Sequence, residues 1–205
     1  MFVANALALD LVNTEVVARG RRRDLLATPD AVVAWWAEAC AHYPAAHCPN
    51  MEGSGAVVGA GDRWRDAEAI AALKGLRVAV RTVFAAVAAG RQPTARDLEP
   101  LNRLLRTGYH VLDSAPTGAI VPAYGVRDAG PDGLLLPIAL SAFRVLTEAD
   151  PARLRSCEYE RCIGLFYDTS KSATRRWCGE GCMNRARSAQ RYAQTKATRH
   201  PGSAQ

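Results

Sequence analysis

The sequence lacks several features that would place the protein in a large class. Its 205 residues contain no run of about 18 apolar residues, so we expect no membrane span. No lysine or arginine precedes Asp10, so we expect no signal peptide and a cytoplasmic protein. No Walker, Rossmann or G-x-S-x-G pattern occurs, and these absences argue against an enzyme.

Histidine is scarce, and none of the four histidines lies in the cysteine-rich stretch 157–187. A nuclease built on a zinc finger needs histidine there for a second, catalytic metal ion, so this class is disfavoured. Cys40, His42, His47 and Cys48 form C-x-H-x4-H-C, which matches no common zinc spacing. We interpret them as incidental residues of a glycine- and proline-rich loop over 41–62, with a second metal site as the alternative.

Four of the six cysteines form two close pairs near the C-terminal end. Cys157 and Cys162 form C-x4-C, Cys178 and Cys182 form C-x3-C, and fifteen residues separate the pairs. This spacing is typical of a chain that wraps one tetrahedral zinc ion, and four thiolates leave no open position for catalysis. Ordinary thiols or a disulfide are the alternative, which a reducing compartment disfavours. The sequence therefore predicts one structural Zn2+.

The residues around these pairs predict a treble clef. We expect strands over 165–168 and 174–177, a helix over 183–195, and a small core of Phe166 and Trp177. A module of about 40 residues cannot build a sufficient core alone, so metal binding has to supply folding free energy.

Positive charge is concentrated in the same segment. Residues 151–205 hold eleven Lys/Arg against four Asp/Glu, whereas residues 1–150 hold fifteen against sixteen. This asymmetry indicates a polyanion partner for the C-terminal segment. The candidate DNA-contacting residues are Lys171, Arg175, Arg176 and Arg191 for phosphates, and Asn184, Arg185 and Arg187 for base edges. We interpret the run Arg21, Arg22 and Arg23 as a solvated, turn-like loop, with phosphate contact as the alternative.

Residues 1–150 predict a mostly helical α+β domain with a small β-hairpin, and Asp150–Pro151 marks its boundary with residues 151–205. Apolar periodicity and capping residues predict helices over 29–40, 63–89, 93–108 and 134–146, and short strands over 109–112 and 119–124. Residues 6–14 fit either a strand or a helix. Within them, Asp10 and Asn13 either pin this segment to the core or line a ligand pocket.

Two groups of motifs resemble known families. The string R-R-W-C-x3-C-M-N-R-A-R, after C-x4-C and L-F-Y-D-T-S-K, resembles the CGNR zinc finger, and L-A-L-D-L-V-N-T with D-L-L-A-T-P-D-A-V-V-A-W-W resembles the ABATE domain. The resemblance implies a two-domain bacterial transcription regulator linked to stress. Met183 stands where the CGNR motif has glycine. It weakens or redirects DNA binding if that glycine lets the backbone approach DNA closely, and it is harmless if the glycine only eases helix entry.

The leading hypothesis is a zinc-containing, DNA-binding transcription regulator. The finger and its basic helix contact DNA, and the N-terminal domain senses a small-molecule effector or forms a homodimer. The alternative is a protein-interaction adaptor, which would expose Phe166 or Tyr167 rather than pack them.

Overall fold

The computed structural model describes residues 6–43, 63–115, 117–127 and 130–199. The helices are α1 (Leu7–Val12), α2 (Pro29–His42), α3 (Ala67–Ala88), α4 (Ala95–Thr107), α5 (Pro131–Thr147) and α6 (Glu180–Arg199). The strands are β1 (Glu15–Ala18), β2 (Arg21–Asp24), β3 (Gly108–Ser114), β4 (Ile120–Val126), β5 (Leu154–Ser156) and β6 (Leu165–Tyr167), and a 3₁₀ turn covers Pro151–Arg153. The structure confirms the α+β class.

Local signals in the sequence account for the starts of the central helices. The Thr28 hydroxyl accepts a hydrogen bond from the Ala31 amide ahead of α2 (3.2 Å), and Pro29 occupies the first helical position. Thr94 and Asp97 form a reciprocal capping box at the start of α4. These capping bonds fix where each helix begins, close to the predicted positions.

The helix α1 lies at the centre of the fold. All six of its residues are buried, and it packs against α3 and α5. The Ala8 amide donates to the Ser141 hydroxyl of α5 (3.1 Å), which satisfies one of the free N–H groups at the start of the helix. Burial on every side explains why the periodicity of residues 6–14 did not distinguish strand from helix.

The strands form three separate antiparallel hairpins in the described part of the chain: β1 with β2, β3 with β4, and β5 with β6. The first hairpin corrects the interpretation of Arg21–Arg23 as a loop, because these residues lie in β2. A two-residue turn, Arg19–Gly20, joins its strands, and both residues have positive φ (52° and 75°). This is the backbone pattern of a tight hairpin turn that matches strand twist.

Residues 174–177 do not form the predicted returning strand of the finger. The strand β6 pairs instead with β5, with Leu154 opposite Tyr167 and Ser156 opposite Leu165. The buried Asp168 carboxylate accepts a hydrogen bond from the Arg175 amide (2.8 Å), so this amide bonds to a side chain and not to a neighbouring strand. The first cysteine pair therefore lies within the loop of the β5–β6 hairpin.

One hydrophobic core serves both parts of the chain. Leu154 and Leu165 of the finger belong to the same buried cluster as Leu7 and Leu73. We use "body" for the described residues 6–149 and "finger" for residues 154–199. None of the described helices is both long enough and apolar enough to cross a membrane.

Candidate metal centre and nucleic-acid interface

The structure brings the four cysteines of the finger together. The sulfur atoms of Cys157, Cys162, Cys178 and Cys182 all lie within 4.8 Å of one another. Cys157 follows β5, Cys162 lies in the loop before β6, and Cys182 lies in the first turn of α6. The loop of the β5–β6 hairpin, the segment before α6 and the first turn of α6 thus hold the four sulfurs around one point.

Backbone groups support this cluster. The Gly164 amide lies 3.3 Å from the Cys162 sulfur, and the Cys178 amide lies 3.5 Å from the Cys157 sulfur. A Cβ atom at Gly164 would lie only 3.3 Å from the Cys162 sulfur and 3.4 Å from the Cys178 sulfur. Glycine at this position therefore lets the loop close tightly around the four ligands.

The donor set fits zinc. Hydrogen bonds from neighbouring thiols, first Cys162 and then Cys178, lower the pKa of Cys157, whereas the hydrogen bond with Cys157 raises the pKa of Cys178. Four adjacent thiols cannot all ionise without a cation, because each new thiolate repels the others. A closed set of four thiolates is the shell of a structural zinc site, so these cysteines hold one structural Zn2+.

Buried charge shapes the loop between the two cysteine pairs. Asp168 is fully buried and accepts hydrogen bonds from the Ser170 amide (2.9 Å) and the Ser170 hydroxyl (2.6 Å). Burial opposes ionisation of Asp168, but the bonds from Ser170 and from the Arg175 amide outweigh it and lower its pKa. Arg153 donates to the carbonyls of Asp168 and Ser170 (both 2.9 Å), which fixes the same turn.

Two of the predicted DNA-contacting arginines contribute to the scaffold of the finger. The guanidinium of Arg175 lies 4.9 Å from the centre of the Phe166 ring and donates to the carbonyls of Trp177 and Cys178. Arg176 stacks over Trp177 (5.1 Å) and pairs with Glu158 (2.6 Å). Arg176 remains exposed, whereas Arg175 is half-buried.

The helix α6 carries the remaining candidates on a solvent-exposed rod. Its 20 residues span about 30 Å, and residues 187–196 are all exposed. At 100° per residue, Asn184, Arg187 and Arg191 share one face, and Arg185 and Lys196 share another about 130° away. Lys171 is also exposed, in the turn that precedes Arg175.

Around α6, Met183 lies about 40° from Arg187 and about 160° from Arg185. It is half-buried and lines a hollow together with Trp177 and Arg175. The side chain at this position thus points toward the finger, away from the face that carries Arg185.

A second basic region joins the body to the finger, and the sequence did not indicate it. Arg19 and Gly20 of the β1–β2 turn and Tyr159, Arg161 and Arg185 of the finger line a groove of about 370 Å3. We call it the arginine groove. Residues 19 and 161 are 142 positions apart, so no local pattern predicts that their side chains meet.

Asn13 joins the body to the finger. Its side-chain amide donates to the Leu165 carbonyl (2.8 Å), and its side-chain oxygen accepts the Leu165 N–H (3.0 Å). Arg81 of α3 makes a parallel link, because it donates to the Ile163 carbonyl (2.7 Å) and the Val12 carbonyl (2.5 Å). These bonds set the orientation of the finger on the body.

The other polar residue of this segment, Asp10, is buried and accepts a hydrogen bond from the Tyr43 hydroxyl. Burial raises the pKa of Tyr43 far above its usual range, and the hydrogen bond with Asp10 raises it further. A separate groove of about 490 Å3 lies between α3, α4 and α5, where Leu101, Asn102 and Phe143 are among its lining residues. Asp10 and Asn13 do not line this groove.

The proposed second cysteine–histidine set is only partly described. Cys40 and His42 lie in the last turn of α2, and His42 packs edge-on against Tyr43. His47 and Cys48 lie outside the described residues.

Comparison with protein families accounts for most of the chain. The model of the ABATE family, described as "Putative stress-induced transcription regulator", matches residues 5–149. The model of the CGNR zinc finger matches residues 153–195. No curated protein matches the chain.

Proposed function

The chain belongs to the ABATE family, with a CGNR zinc finger after the ABATE region, and on this premise we propose that it is a DNA-binding transcription regulator. Residues 151–205 bind DNA, and residues 1–150 sense an effector or dimerise. The observation that carries the proposal is α6, a basic helix about 30 Å long whose residues 187–196 are all exposed.

The two faces of α6 suit a DNA groove. A helix in the major groove has base edges in front of it and a phosphate strand on each side. Arg187 and Arg191 point toward one side of the helix, and Arg185 and Lys196 point about 130° away, so both strands receive cations. Asn184, near the start of the helix, is placed to contact a base edge, because an asparagine amide pairs with adenine in two places.

The test is the salt dependence of DNA binding by the zinc-loaded, full-length protein. Bound sequences are first selected from random DNA, and their affinity is then measured by fluorescence anisotropy between 0.05 and 0.3 M salt. Neutralising about 4–6 phosphates gives a log–log slope of about −4 to −5. A salt-independent affinity, or selection that enriches no sequence, contradicts the proposal.

A matched pair of variants separates base contact from phosphate contact. Asn184→Ala should relax the preference at one base position and leave the salt slope unchanged, because a neutral amide neutralises no phosphate. Gln190→Ala is the control, since Gln190 is exposed on the third face of the helix.

The packing of the finger argues against the adaptor alternative. Phe166 is 1% exposed, and Tyr167 is half-buried with its hydroxyl accepting the Asp150 amide (3.0 Å). The aromatic surface that an adaptor would present at these two residues is therefore packed away.

For the dimerising role we infer that a second copy of the chain pairs along the edge of β3 that no other described strand occupies. At the two ends of the β3–β4 ladder, the Ala115 amide donates to the Ala119 carbonyl (2.8 Å) and the Arg127 amide donates to the Thr107 carbonyl (2.9 Å). The odd-numbered residues of β3 therefore bond to β4, and the even-numbered residues direct their backbone groups away from β4. The outward edge of β4 contains Pro122, which has no N–H, so β3 offers the more complete edge.

The edge of β3 is self-complementary. The Gly108 amide donates to the Leu105 carbonyl, and the Ser114 amide donates to the Asp113 carboxylate. The outward N–H groups of His110 and Leu112 are then the ones left for a second copy, and they lie symmetrically on either side of Val111. A two-fold axis at Val111 pairs each His110 with Leu112 of the other copy. Neither strand carries lysine or arginine, and this register places no like charges opposite each other. Leu112 is 79% exposed in the single chain.

A further inference from the structure

The arginine groove holds three cations that come from two parts of the chain. Arg19 comes from the β1–β2 turn, Arg161 from the loop between the first two cysteines, and Arg185 from α6. Within the part of the chain that the structure describes, no salt bridge joins Arg19 or Arg185 to a carboxylate. Arg161 has only a long contact to Glu160 (3.6 Å), with both side chains more than 70% exposed. The groove therefore concentrates positive charge that the protein itself does not neutralise.

The backbone at Arg19 is a second, independent observation. Its φ of 52° lies in the left-handed region, which favours glycine and asparagine and is unusual for arginine. Glycine or asparagine would make the same turn with less strain. The turn thus carries arginine at a conformational cost, which indicates that the side chain itself has a role in the groove.

The links between body and finger keep the groove in one shape. Asn13 holds Leu165 and Arg81 holds Ile163, so the β1–β2 turn and the finger are fixed relative to each other. Arg185 lies folded over the first turn of α6, where its Nη2 atom would be 3.7 Å from a Cβ at Gly181. The backbone segments that carry the three arginines are therefore held close together before any ligand arrives.

We propose that the arginine groove binds the phosphodiester backbone of the DNA strand that lies alongside α6. The inference rests on the DNA-binding function proposed above and adds an element of the body, the β1–β2 turn, to the interface. Guanidinium groups suit phosphate because their fork of N–H donors matches its oxygens. Arg19 and Arg161 position the duplex without reading its sequence, and α6 supplies the base contacts.

The experiment compares two double variants of the full-length, zinc-loaded protein on the selected DNA sequence. Arg19→Ala with Arg161→Ala removes two cations from the groove. Arg96→Ala with Arg103→Ala removes the same charge from α4, which packs against α3, α5 and β3. Circular dichroism and zinc content confirm that each variant is folded.

The groove variant should reduce the magnitude of the salt slope by about 2 and weaken binding roughly tenfold or more at 0.15 M salt, equally for specific and unrelated sequences. The α4 variant should keep the slope of the unmodified protein. Equal losses of affinity and salt slope in both variants would mean that only net charge matters, and would overturn the proposal. An unchanged salt slope in the groove variant would also overturn it. If the unmodified protein shows no salt-dependent DNA binding, the proposed function itself fails.

Discussion

The two hydrogen bonds between Asn13 and Leu165 should determine whether the finger remains fixed to the body. Replacing Asn13 with alanine removes both bonds, each of which contributes about 1 kcal/mol net. It also leaves the Leu165 N–H and carbonyl without these partners beside a side chain that is only 3% exposed. Because Asn13 is only half-buried, water can reach part of the site, so we expect a total loss of about 2–3 kcal/mol.

Urea unfolding at a fixed zinc concentration measures this loss. For a chain of this size, 2–3 kcal/mol corresponds to a fall in Tm of roughly 5–10 °C. Asn102→Ala on α4 is a matched control, which should stay within about 0.5 kcal/mol of the unmodified protein. Limited proteolysis near residue 150 should accelerate in Asn13→Ala and not in the control.

The opposite result would support the ligand-pocket interpretation of Asn13. An unchanged unfolding free energy, together with loss of an effector response in DNA binding, would mean that the amide contacts a ligand rather than Leu165. The hydrogen bonds on which the estimate is based would then be absent in solution.

Three further predictions rest on the zinc site, the Asp24–Arg77 pair and the edge of β3. Chelating zinc, or Cys182→Ser, should open the finger to proteolysis and also lower the unfolding midpoint of the body, because the finger contributes leucines to the shared core. Asp24→Asn should cost about 2 kcal/mol at pH 7, because it leaves the buried Arg77 guanidinium without its closest carboxylate (2.6 Å). The Arg77 hydrogen bond holds the pKa of Asp24 well below its usual range, so this contribution is present above about pH 4 and is lost as pH falls; urea titrations at several pH values measure it. Val111→Cys should crosslink two chains of 22.1 kDa under mild oxidation, whereas Asp113→Cys should not, because the two-fold axis separates its copies; absence of the Val111 crosslink at high protein concentration would exclude the β3 register.

Elements with local signals were predictable from the sequence. Thr28–Pro29 and the Thr94–Asp97 box carry their capping chemistry within four residues, so the starts of α2 and α4 follow from the sequence. The spacing of the cysteines is similarly local, because two short loops bring each pair to the metal.

Elements that depend on distant partners were missed. Arg21–Arg23 has a polar pattern typical of a loop, yet it forms β2 because Asp24, opposite Glu15 in the hairpin, pairs with the buried Arg77 of α3. The segment 174–177 has strand-like residues, yet the Arg175 amide donates a hydrogen bond to the Asp168 carboxylate and not to a neighbouring strand. In both cases a buried charge outweighs local propensity.

The zinc ligands, the capped helices and the excess of positive charge near the C-terminal end could be predicted, because each depends on residue type and short spacing. Which cations act together depends on how the chain folds. Arg175 became part of the scaffold of the finger, while Arg19, far away in sequence, joined Arg161 and Arg185 in one groove. The physical reason is that the shared core and the Asn13–Leu165 bonds set the position of the finger on the body, and contacts across 152 residues leave no periodic trace in the sequence.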